Sequence, residues 1–266
     1  MGSQVAAAYE RAAKENRGLL VGYLPAGFPT KPGAIAALTA MVASGVDLVE
    51  VGLPYSDPVL DGPTIQQAVD RALAAGTRIA DVLDTVEAVA ATGVPVVVMT
   101  YWNPVLRYGV ERFAQALAAA GGSGLITPDL TPDSGPDWLA ASAAADLDRI
   151  FLAAPSSTDH RLRMTAEACR GFVYATSVMG VTGARAQTSS LAPALVARLR
   201  EVTDLPIGVG LGVSNGDQAA EVAGFADGVI VGSAFVRALL DASDLSVGVA
   251  GCAALAEDLA AGVRRR

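Results

Sequence analysis

Short runs rich in Val, Ile and Leu alternate along this chain with longer Ala-rich stretches whose apolar residues recur at helical spacing. This alternation is typical of repeated βα units rather than of an antiparallel sheet. The short runs predict eight strands, at residues 19–23, 48–52, 95–100, 124–126, 149–152, 172–175, 206–210 and 228–231. The stretches after them predict helices at 33–43, 64–74, 79–91, 110–120, 137–144, 159–168, 191–202, 217–223 and 234–240, with a last helix at 250–260.

Eight βα units within 266 residues indicate a closed barrel. A (β/α)8 barrel takes about 250 residues, whereas an open doubly wound sheet usually has about five or six strands. No Pro/Gly/Ser-rich linker divides the chain. We therefore predict an α/β protein with one domain over residues 1–266, a single (β/α)8 TIM barrel.

Composition and charge narrow the setting of this barrel. The chain is 52% apolar and 17% charged, which fits a parallel sheet covered on both faces. Its net charge of −8 disfavours a nucleic-acid partner, because phosphate backbones need a basic surface. No apolar stretch approaches the roughly 20 residues that cross a bilayer, and the charged N-terminus is unlike a signal peptide. We predict a cytoplasmic protein with no membrane partner.

The second predicted strand and the loop after it, LVEVGLPYSDPVLDGPTIQQA, carry three acidic residues. Glu50 lies among Val and Leu inside a barrel strand, where burial should raise its pKa and suit it to proton transfer. Asp57 and Asp61 follow on a polar, Pro-rich loop at the end of the barrel where active sites form. Each also has a structural interpretation, since Glu50 can be a satisfied polar residue and the aspartates can form turns or cap a helix.

A phosphate site is predicted where the last two strands end. The seventh strand leads to Gly210 and Gly212, and the eighth leads to Gly232 and Ser233 at the start of a helix. Glycines let the backbone approach an anion, and helix N-termini attract negative charge. One glycine pair could be a plain turn, but two pairs at consecutive strand ends favour phosphate binding.

The long loop after the sixth strand is rich in small polar residues and glycine, as in a lid that closes over a site. Thr182 and Gly183 would then reach the ligand on closure. A surface loop without a role is the alternative.

Other residue types exclude several chemistries. His160 is the only histidine, and a Ser-His-Asp or Cys-His arrangement would need it. It lies at a predicted helix start, where we expect it to be solvated. Lys14 and Lys31 are the only lysines, and neither is placed at a strand end for a Schiff base. Cys169 and Cys252 are the only cysteines, and no metal-binding motif is present, so we predict no metal. Carboxylates and tyrosines remain as the acid–base candidates.

The segments around these residues resemble one protein family. LVEVGLPYSDPVLDGPTIQQA is similar to the signature of tryptophan synthase alpha chains, and GYLPAGFPT, MTYWNPVLRYG, GLITPDLTPD, FLAAPSS and GFVYATSVMGVTGAR match in the family's order. Tyr23, the segment ATSVMGVTG, and Pro128 before Asp129 depart from the most familiar members and resemble an actinobacterial-type branch. The resemblance covers almost the whole chain.

This resemblance implies a lyase reaction and assigns residues to it. Family members cleave indole-3-glycerol phosphate to indole and glyceraldehyde 3-phosphate by retro-aldol chemistry, in the last steps of L-tryptophan biosynthesis. Glu50 matches the strand glutamate that protonates indole C3, and Asp61 matches the loop aspartate that stabilises charge on the ring nitrogen. The expected substrate-binding residues are Tyr23, Met99, Tyr101, Tyr174, Thr182 and Ile230, and Gly183 joins the expected phosphate site.

The resemblance also implies a partner. Family members work in an alpha-beta-beta-alpha complex whose beta subunit holds pyridoxal phosphate, so no cofactor is expected in this chain. Pro54, Asp57 and the loop after the sixth strand match regions that signal to the beta subunit.

Two other interpretations of the sequence compete with this one. The chain could be another phosphate-binding barrel, such as indole-3-glycerol phosphate synthase, phosphoribosylanthranilate isomerase or a ribulose-phosphate epimerase. The lysine of the synthases and the metal-binding histidine and acid set of the epimerases are not visible here. It could also be a non-catalytic subunit that only activates its partner, which the intact Glu50 and Asp61 disfavour.

Overall fold

The computed structural model describes residues 2–176 and 191–265, and its eight parallel strands form one closed barrel. In chain order the strands are β1 Leu19–Pro25, β2 Leu48–Gly52, β3 Val96–Met99, β4 Gly124–Thr127, β5 Asp148–Ala153, β6 Val173–Thr176, β7 Ile207–Gly210 and β8 Gly228–Val231. β8 pairs with β1, which closes the barrel. The predicted TIM-barrel fold is confirmed, and no strand end differs from its predicted position by more than two residues. The extent of the domain, residues 1–266, stays a prediction.

The helices that cover the barrel are α1 Gln4–Lys14, α2 Lys31–Ala43, α3 Pro63–Ala74, α4 Ile79–Ala90, α5 Trp102–Tyr108, α6 Val110–Ala119, α7 Pro136–Ala144, α8 Asp159–Ala168, α9 Leu191–Arg200, α10 Gly216–Ala223, α11 Ser233–Leu240 and α12 Leu245–Val263. All ten predicted helices are present. Among the described residues, two α-helices, α1 and α5, and a short 3-10 helix at Pro132–Ser134 were not predicted. α5 is a single short element with one buried residue, Val105, so it leaves little periodic signal in the sequence.

α1 closes the N-terminal end of the barrel. The Ser3 hydroxyl caps this helix by accepting a hydrogen bond from the N–H of Ala6 at 2.9 Å. Tyr9 enters the barrel, and its ring centroid lies 5.4 Å from that of Phe172. A Cβ atom at Gly208 or Gly228 would collide with the Tyr9 hydroxyl. The inner faces of β7 and β8 therefore lack side chains at this level because Tyr9 fills the space.

α12 is longer than the predicted helix at 250–260, and it corrects one expectation. By length and composition it could cross a membrane, whereas the sequence analysis found no stretch of that kind. In the fold α12 packs against α2, α10 and α11. The carboxylate of Asp258 accepts a hydrogen bond from the N–H of Gly216 at 2.6 Å, and a Cβ atom at Gly262 would collide with the backbone of Gly216. These contacts make α12 a packed helix of the barrel's outer layer.

Candidate active site

Glu50 lies on β2 with its side chain inside the barrel. Residues alternate along the strand, so Val49 and Val51 pack towards the outer helices while Leu48 belongs to the cluster inside the barrel. Glu50 shares the inward face with Leu48. It is 1% exposed, and its Oε2 atom has no hydrogen-bond partner among the described residues.

This burial changes the acidity of Glu50. Loss of solvent raises the pKa of its carboxyl group from 4.5 to about 8, and the negative charge of Asp61 acts in the same direction. A carboxyl group with this pKa is mostly protonated at neutral pH. Glu50 can therefore donate a proton, and the anion that remains can take one back.

Asp61 is held on the loop between β2 and α3. The Tyr101 hydroxyl donates a hydrogen bond to Asp61 Oδ1 at 3.3 Å and accepts one from the N–H of Leu60 at 3.0 Å. The side-chain amide of Gln66 donates to the carbonyl oxygen of Asp61 at 2.7 Å. Burial raises the pKa of Asp61, and the hydrogen bond from Tyr101 partly opposes that change.

Tyrosines and apolar side chains surround the two carboxyl groups. Tyr23 is the neighbour of Glu50 in the register of β1 and β2. Burial raises the pKa of Tyr174, and so does the charge of Glu50. Ile230 belongs to the cluster of apolar side chains inside the barrel, and Met99 packs against that cluster. The structure thus brings together five of the six predicted substrate-binding residues, namely Tyr23, Met99, Tyr101, Tyr174 and Ile230.

The predicted phosphate residues lie side by side at the ends of β7 and β8. Gly210 pairs in register with Ile230, Gly212 has a left-handed backbone with φ +70°, and Ser233 is the first residue of α11. Gly232 stands at the N-cap of α11 and has no side chain with which to cap it. Gly210 also has a packing reason to be glycine, because a Cβ atom there would collide with the Tyr174 hydroxyl. Backbone N–H groups of the first turn of a helix attract anions.

The remaining predicted residues either follow β2 on the loop to α3 or lie outside the described residues. Pro54 is buried, whereas Asp57 is exposed and accepts a hydrogen bond from the Ser56 hydroxyl at 2.6 Å. Thr182 and Gly183 lie outside the described residues.

Tyr101 has a second role that the sequence did not indicate, because the family resemblance implied only that it binds the substrate. Its ring packs against Tyr55 with centroids 5.4 Å apart, and its hydroxyl joins β3 to the loop that carries Asp61. The Tyr55 hydroxyl in turn accepts a hydrogen bond from Asn103 at 3.3 Å. The available signal was the polar end of a tyrosine that directly follows a barrel strand.

We predict that Tyr101→Phe lowers activity by weakening the hold on Asp61. The ring remains, but Asp61 loses a hydrogen-bond donor and Leu60 N–H loses its acceptor. One hydrogen bond to a charged group contributes about 1.5–3 kcal/mol, so a loss of about tenfold or more is expected. Steady-state kinetics of the variant would measure it. Tyr108→Phe is the matched control, since the Tyr108 ring packs against Phe113 and Arg112 instead. An equal effect in the two variants would contradict the prediction.

Metal-ligating clusters and reactive thiols are two other kinds of group that could carry chemistry. Across residues 2–176 and 191–265, no three His, Cys, Asp or Glu side chains gather as a metal site would require. Cys169 and Cys252 are buried, and burial raises the pKa of each thiol to about 12. Thiols with this pKa are poor nucleophiles.

Comparisons with known proteins agree over nearly the full chain. The family model described as tryptophan synthase alpha chain matches residues 9–264. A tryptophan synthase alpha chain from Salinispora arenicola is 66% identical over 262 residues, which are 98% of each chain. One from Mycobacterium avium is 58% identical over 264 residues, which are 99% of this chain and 96% of that one. A solved structure of tryptophan synthase from Mycobacterium tuberculosis has a TM-score of 0.93 and 56% identity, covering 99% of both chains.

The fold and the carboxyl pair define a class, the (β/α)8-barrel proteins that hold acidic groups where the strands end. Within that class the matches are specific. This chain belongs to the tryptophan synthase alpha chain family. The family resemblance seen in the sequence is confirmed, and the relatives from Salinispora and Mycobacterium agree with the expected actinobacterial-type branch.

Proposed function

We propose that this chain cleaves indole-3-glycerol phosphate to indole and glyceraldehyde 3-phosphate, as the lyase subunit of a tryptophan synthase. The observation that carries the proposal is the burial of the Glu50 carboxyl group inside the barrel, which raises its pKa to about 8, beside a second carboxyl group on the adjoining loop. Family membership supplies the substrate. The two groups supply the acid–base chemistry that this cleavage needs.

Cleavage begins with the indole ring. Breaking the bond between C3 and the glycerol chain directly would leave a poor carbanion. Glu50 therefore gives its proton to C3, and the ring becomes a cation that can accept the electron pair of that bond. The Glu50 carboxylate then takes the proton of the neighbouring glycerol hydroxyl group. The C–C bond breaks, the electron pair returns to the ring, and an aldehyde is left.

Asp61 stabilises the charge that develops on the ring. When C3 is protonated, positive charge appears at the ring nitrogen, and an ionised carboxylate near the N–H offsets it. The contacts from Tyr101 and Gln66 support this role, because they fix the loop before the substrate arrives. Preorganisation of this kind avoids reorientation during the reaction.

The rest of the site binds the substrate. Tyr23, Met99, Tyr174 and Ile230 provide the apolar surroundings that an indole ring requires. Gly210, Gly212, Gly232 and Ser233 bind the phosphate at the N-terminus of α11, where Gly232 gives the anion close access to backbone N–H groups. Gly183 and Thr182 are proposed from sequence alone to complete the site.

A beta subunit that holds pyridoxal phosphate is the proposed partner, in an alpha-beta-beta-alpha complex. Pro54 and Asp57 lie on the same end of the barrel as the site, directly after β2. Val59 on that loop is 69% exposed, and Leu106 on α5 is 55% exposed, as expected of side chains that a partner covers. The predicted cytoplasmic location is part of this proposal.

The test is to incubate the chain with indole-3-glycerol phosphate, with and without a tryptophan synthase beta subunit, and to follow indole and glyceraldehyde 3-phosphate. Both products in equal amounts are expected from the chain alone, and faster from the complex. A chain that accelerates the beta subunit but releases no indole with or without it would be a regulatory subunit. That result would exclude the proposed reaction.

A further inference from the structure

Tyr23 and Glu50 approach the same part of the barrel from neighbouring strands. They are paired in the register of β1 and β2. Tyr23 is 8% exposed, and its ring crosses over Gly52, because a Cβ atom at Gly52 would collide with both the ring and the hydroxyl. Gly52 is two residues beyond Glu50 and so shares its inward face. The Tyr23 hydroxyl therefore lies over the end of β2, where the charges of Asp61 and Glu50 both act on it.

The position of this hydroxyl is fixed by packing on two sides. Besides Gly52, the ring contacts Gly232, where an added Cβ atom would lie 3.1 Å from its Cδ1 atom. A phenylalanine would supply the same apolar wall to an indole ring. The hydroxyl is therefore the part of Tyr23 that contact with an apolar ring leaves unexplained, and the hydroxyl of a largely buried tyrosine usually has a hydrogen-bond partner.

Glu50 lacks a hydrogen-bond donor in the described structure. Its Oε2 atom is buried without a partner. The titratable groups that interact with it are Tyr9 from α1, Tyr23 from β1, Asp61 from the loop and Tyr174 from β6. The other strands present side chains of the inner cluster, such as Val97, Met99, Ile126 and Leu152, or glycine. Within the described residues, no cation is among the groups that shift Glu50.

The reaction creates the group that needs such a donor. Glu50 is neutral before cleavage, and the proton transfer to indole C3 leaves a carboxylate in this apolar interior. Without a hydrogen bond, a buried anion is strongly unfavourable. Charge-assisted hydrogen bonds are about twice as strong as neutral ones. A donor beside Glu50 therefore stabilises the intermediate more than the starting state, which is the condition for faster chemistry.

We propose that the Tyr23 hydroxyl is this donor: it gives a hydrogen bond to the Glu50 carboxylate that forms when the proton passes to indole C3. The inference rests on the proposed function. Tyr23 keeps its own proton throughout, since burial and the nearby carboxyl groups raise its pKa well above the usual value. It is a positioning residue, because it acts on the reaction through Glu50.

Tyr23→Phe is the test, since it keeps the ring and removes only the hydroxyl. A hydrogen bond to the charged form lowers a pKa, so its loss should raise the pKa of Glu50. Activity requires protonated Glu50 and falls as pH rises through that pKa. In the variant this alkaline limb should move up by about one pH unit, with about a tenfold lower kcat. KM should stay within about twofold, because the apolar contact with the ring persists.

Tyr9→Phe is the matched control. Tyr9 is also a buried tyrosine inside the barrel, and burial raises its pKa, with the charge of Glu50 as a smaller cause. Its hydroxyl lies at the opposite end of the barrel, against Gly208 and Gly228. Its pH profile should equal that of the wild type. A readout independent of activity is the carboxyl titration seen in infrared spectra of the free proteins, with Glu50→Gln used to assign the Glu50 signal.

The outcomes separate this inference from the proposed function. A wild-type chain that releases no indole would overturn both. Wild-type activity together with an unmoved alkaline limb in Tyr23→Phe would overturn this inference alone. So would a change confined to KM, or an equal displacement of the limb in Tyr9→Phe. A displaced limb and a raised Glu50 titration in Tyr23→Phe only are the results that support it.

Discussion

Replacing Glu50 with Gln is expected to lower kcat for indole release by about 100- to 10,000-fold, the usual contribution of a general acid–base group. The amide has the shape of the protonated carboxyl group, but it can neither give a proton to C3 nor take one from the glycerol hydroxyl. Single-turnover cleavage by the full chain with its beta subunit measures the effect. Glu87→Gln on the exposed side of α4 is the control. Activity of Glu50→Gln within tenfold of wild type would remove Glu50 from the mechanism.

The same substitution that lowers activity should make the protein more stable relative to the wild type as pH rises. The folded-state pKa of Glu50 is about 8, above its usual 4.5, so the folded state binds the proton more tightly. The stability linked to that proton is complete below pH 4.5 and is lost as pH rises through 8. The melting temperature of Glu50→Gln minus that of the wild type should therefore be higher at pH 8 than at pH 5. A difference that is lower at pH 8 than at pH 5 would contradict the raised pKa.

Replacing Asp61 with Asn is expected to lower kcat by about 100- to 1,000-fold, in line with the loss of one preorganised electrostatic group. Asn can still accept the ring N–H but carries no charge to offset the developing cation. Asp61 must be ionised to act, and burial raises its pKa above the usual 3.8. As pH falls through this raised pKa, the wild type should lose activity. Glu50 must be protonated, so activity should also fall as pH rises through its pKa of about 8. The two limits together make the pH profile bell-shaped.

A substrate analogue without the ring N–H tests whether Asp61 acts at that atom. With the natural substrate, the rate ratio of wild type to Asp61→Asn should be large. With the analogue the ratio should fall towards one, because the interaction that Asp61 supplies is already missing. Asp70→Asn, an exposed change on α3, controls for lost negative charge. A ratio that is the same for both substrates would show that Asp61 has another role.

Of the two catalytic candidates, only Glu50 was predictable from the conflict between its chemistry and its surroundings. A glutamate amid Val and Leu in a barrel strand is unusual enough to mark Glu50 from sequence alone. Asp61 depended on the family resemblance, since a loop aspartate before a helix is common for structural reasons. The roles of Tyr101 and Tyr23 were not predictable. Each role depends on the position of the tyrosine hydroxyl group, which is set by contacts with residues far away in the sequence.

Helix prediction failed where periodicity gave little information. α5 is seven residues long. α1 combines a buried face with charged residues, so its apolar periodicity is short and interrupted. The extent of α12 was underestimated because its start depends on a cap, the Asp244 side chain, which accepts from the N–H of Val247 at 3.0 Å. A cap of this kind is local, but the sequence offers several acidic and hydroxyl residues nearby that could serve.

By itself the sequence determined the eight strands, their order and the family. A strand buried on both faces appears in the sequence as a continuous apolar run, and a helix buried on one face appears as apolar residues at helical spacing. It also placed the acidic groups at the strand ends. Only the tertiary structure decided how acidic they are and what holds them. The pKa of Glu50 depends on complete removal from water by seven other strands and α1, and the position of Asp61 depends on a tyrosine forty residues away. Desolvation and long-range hydrogen bonds exist only once the barrel closes.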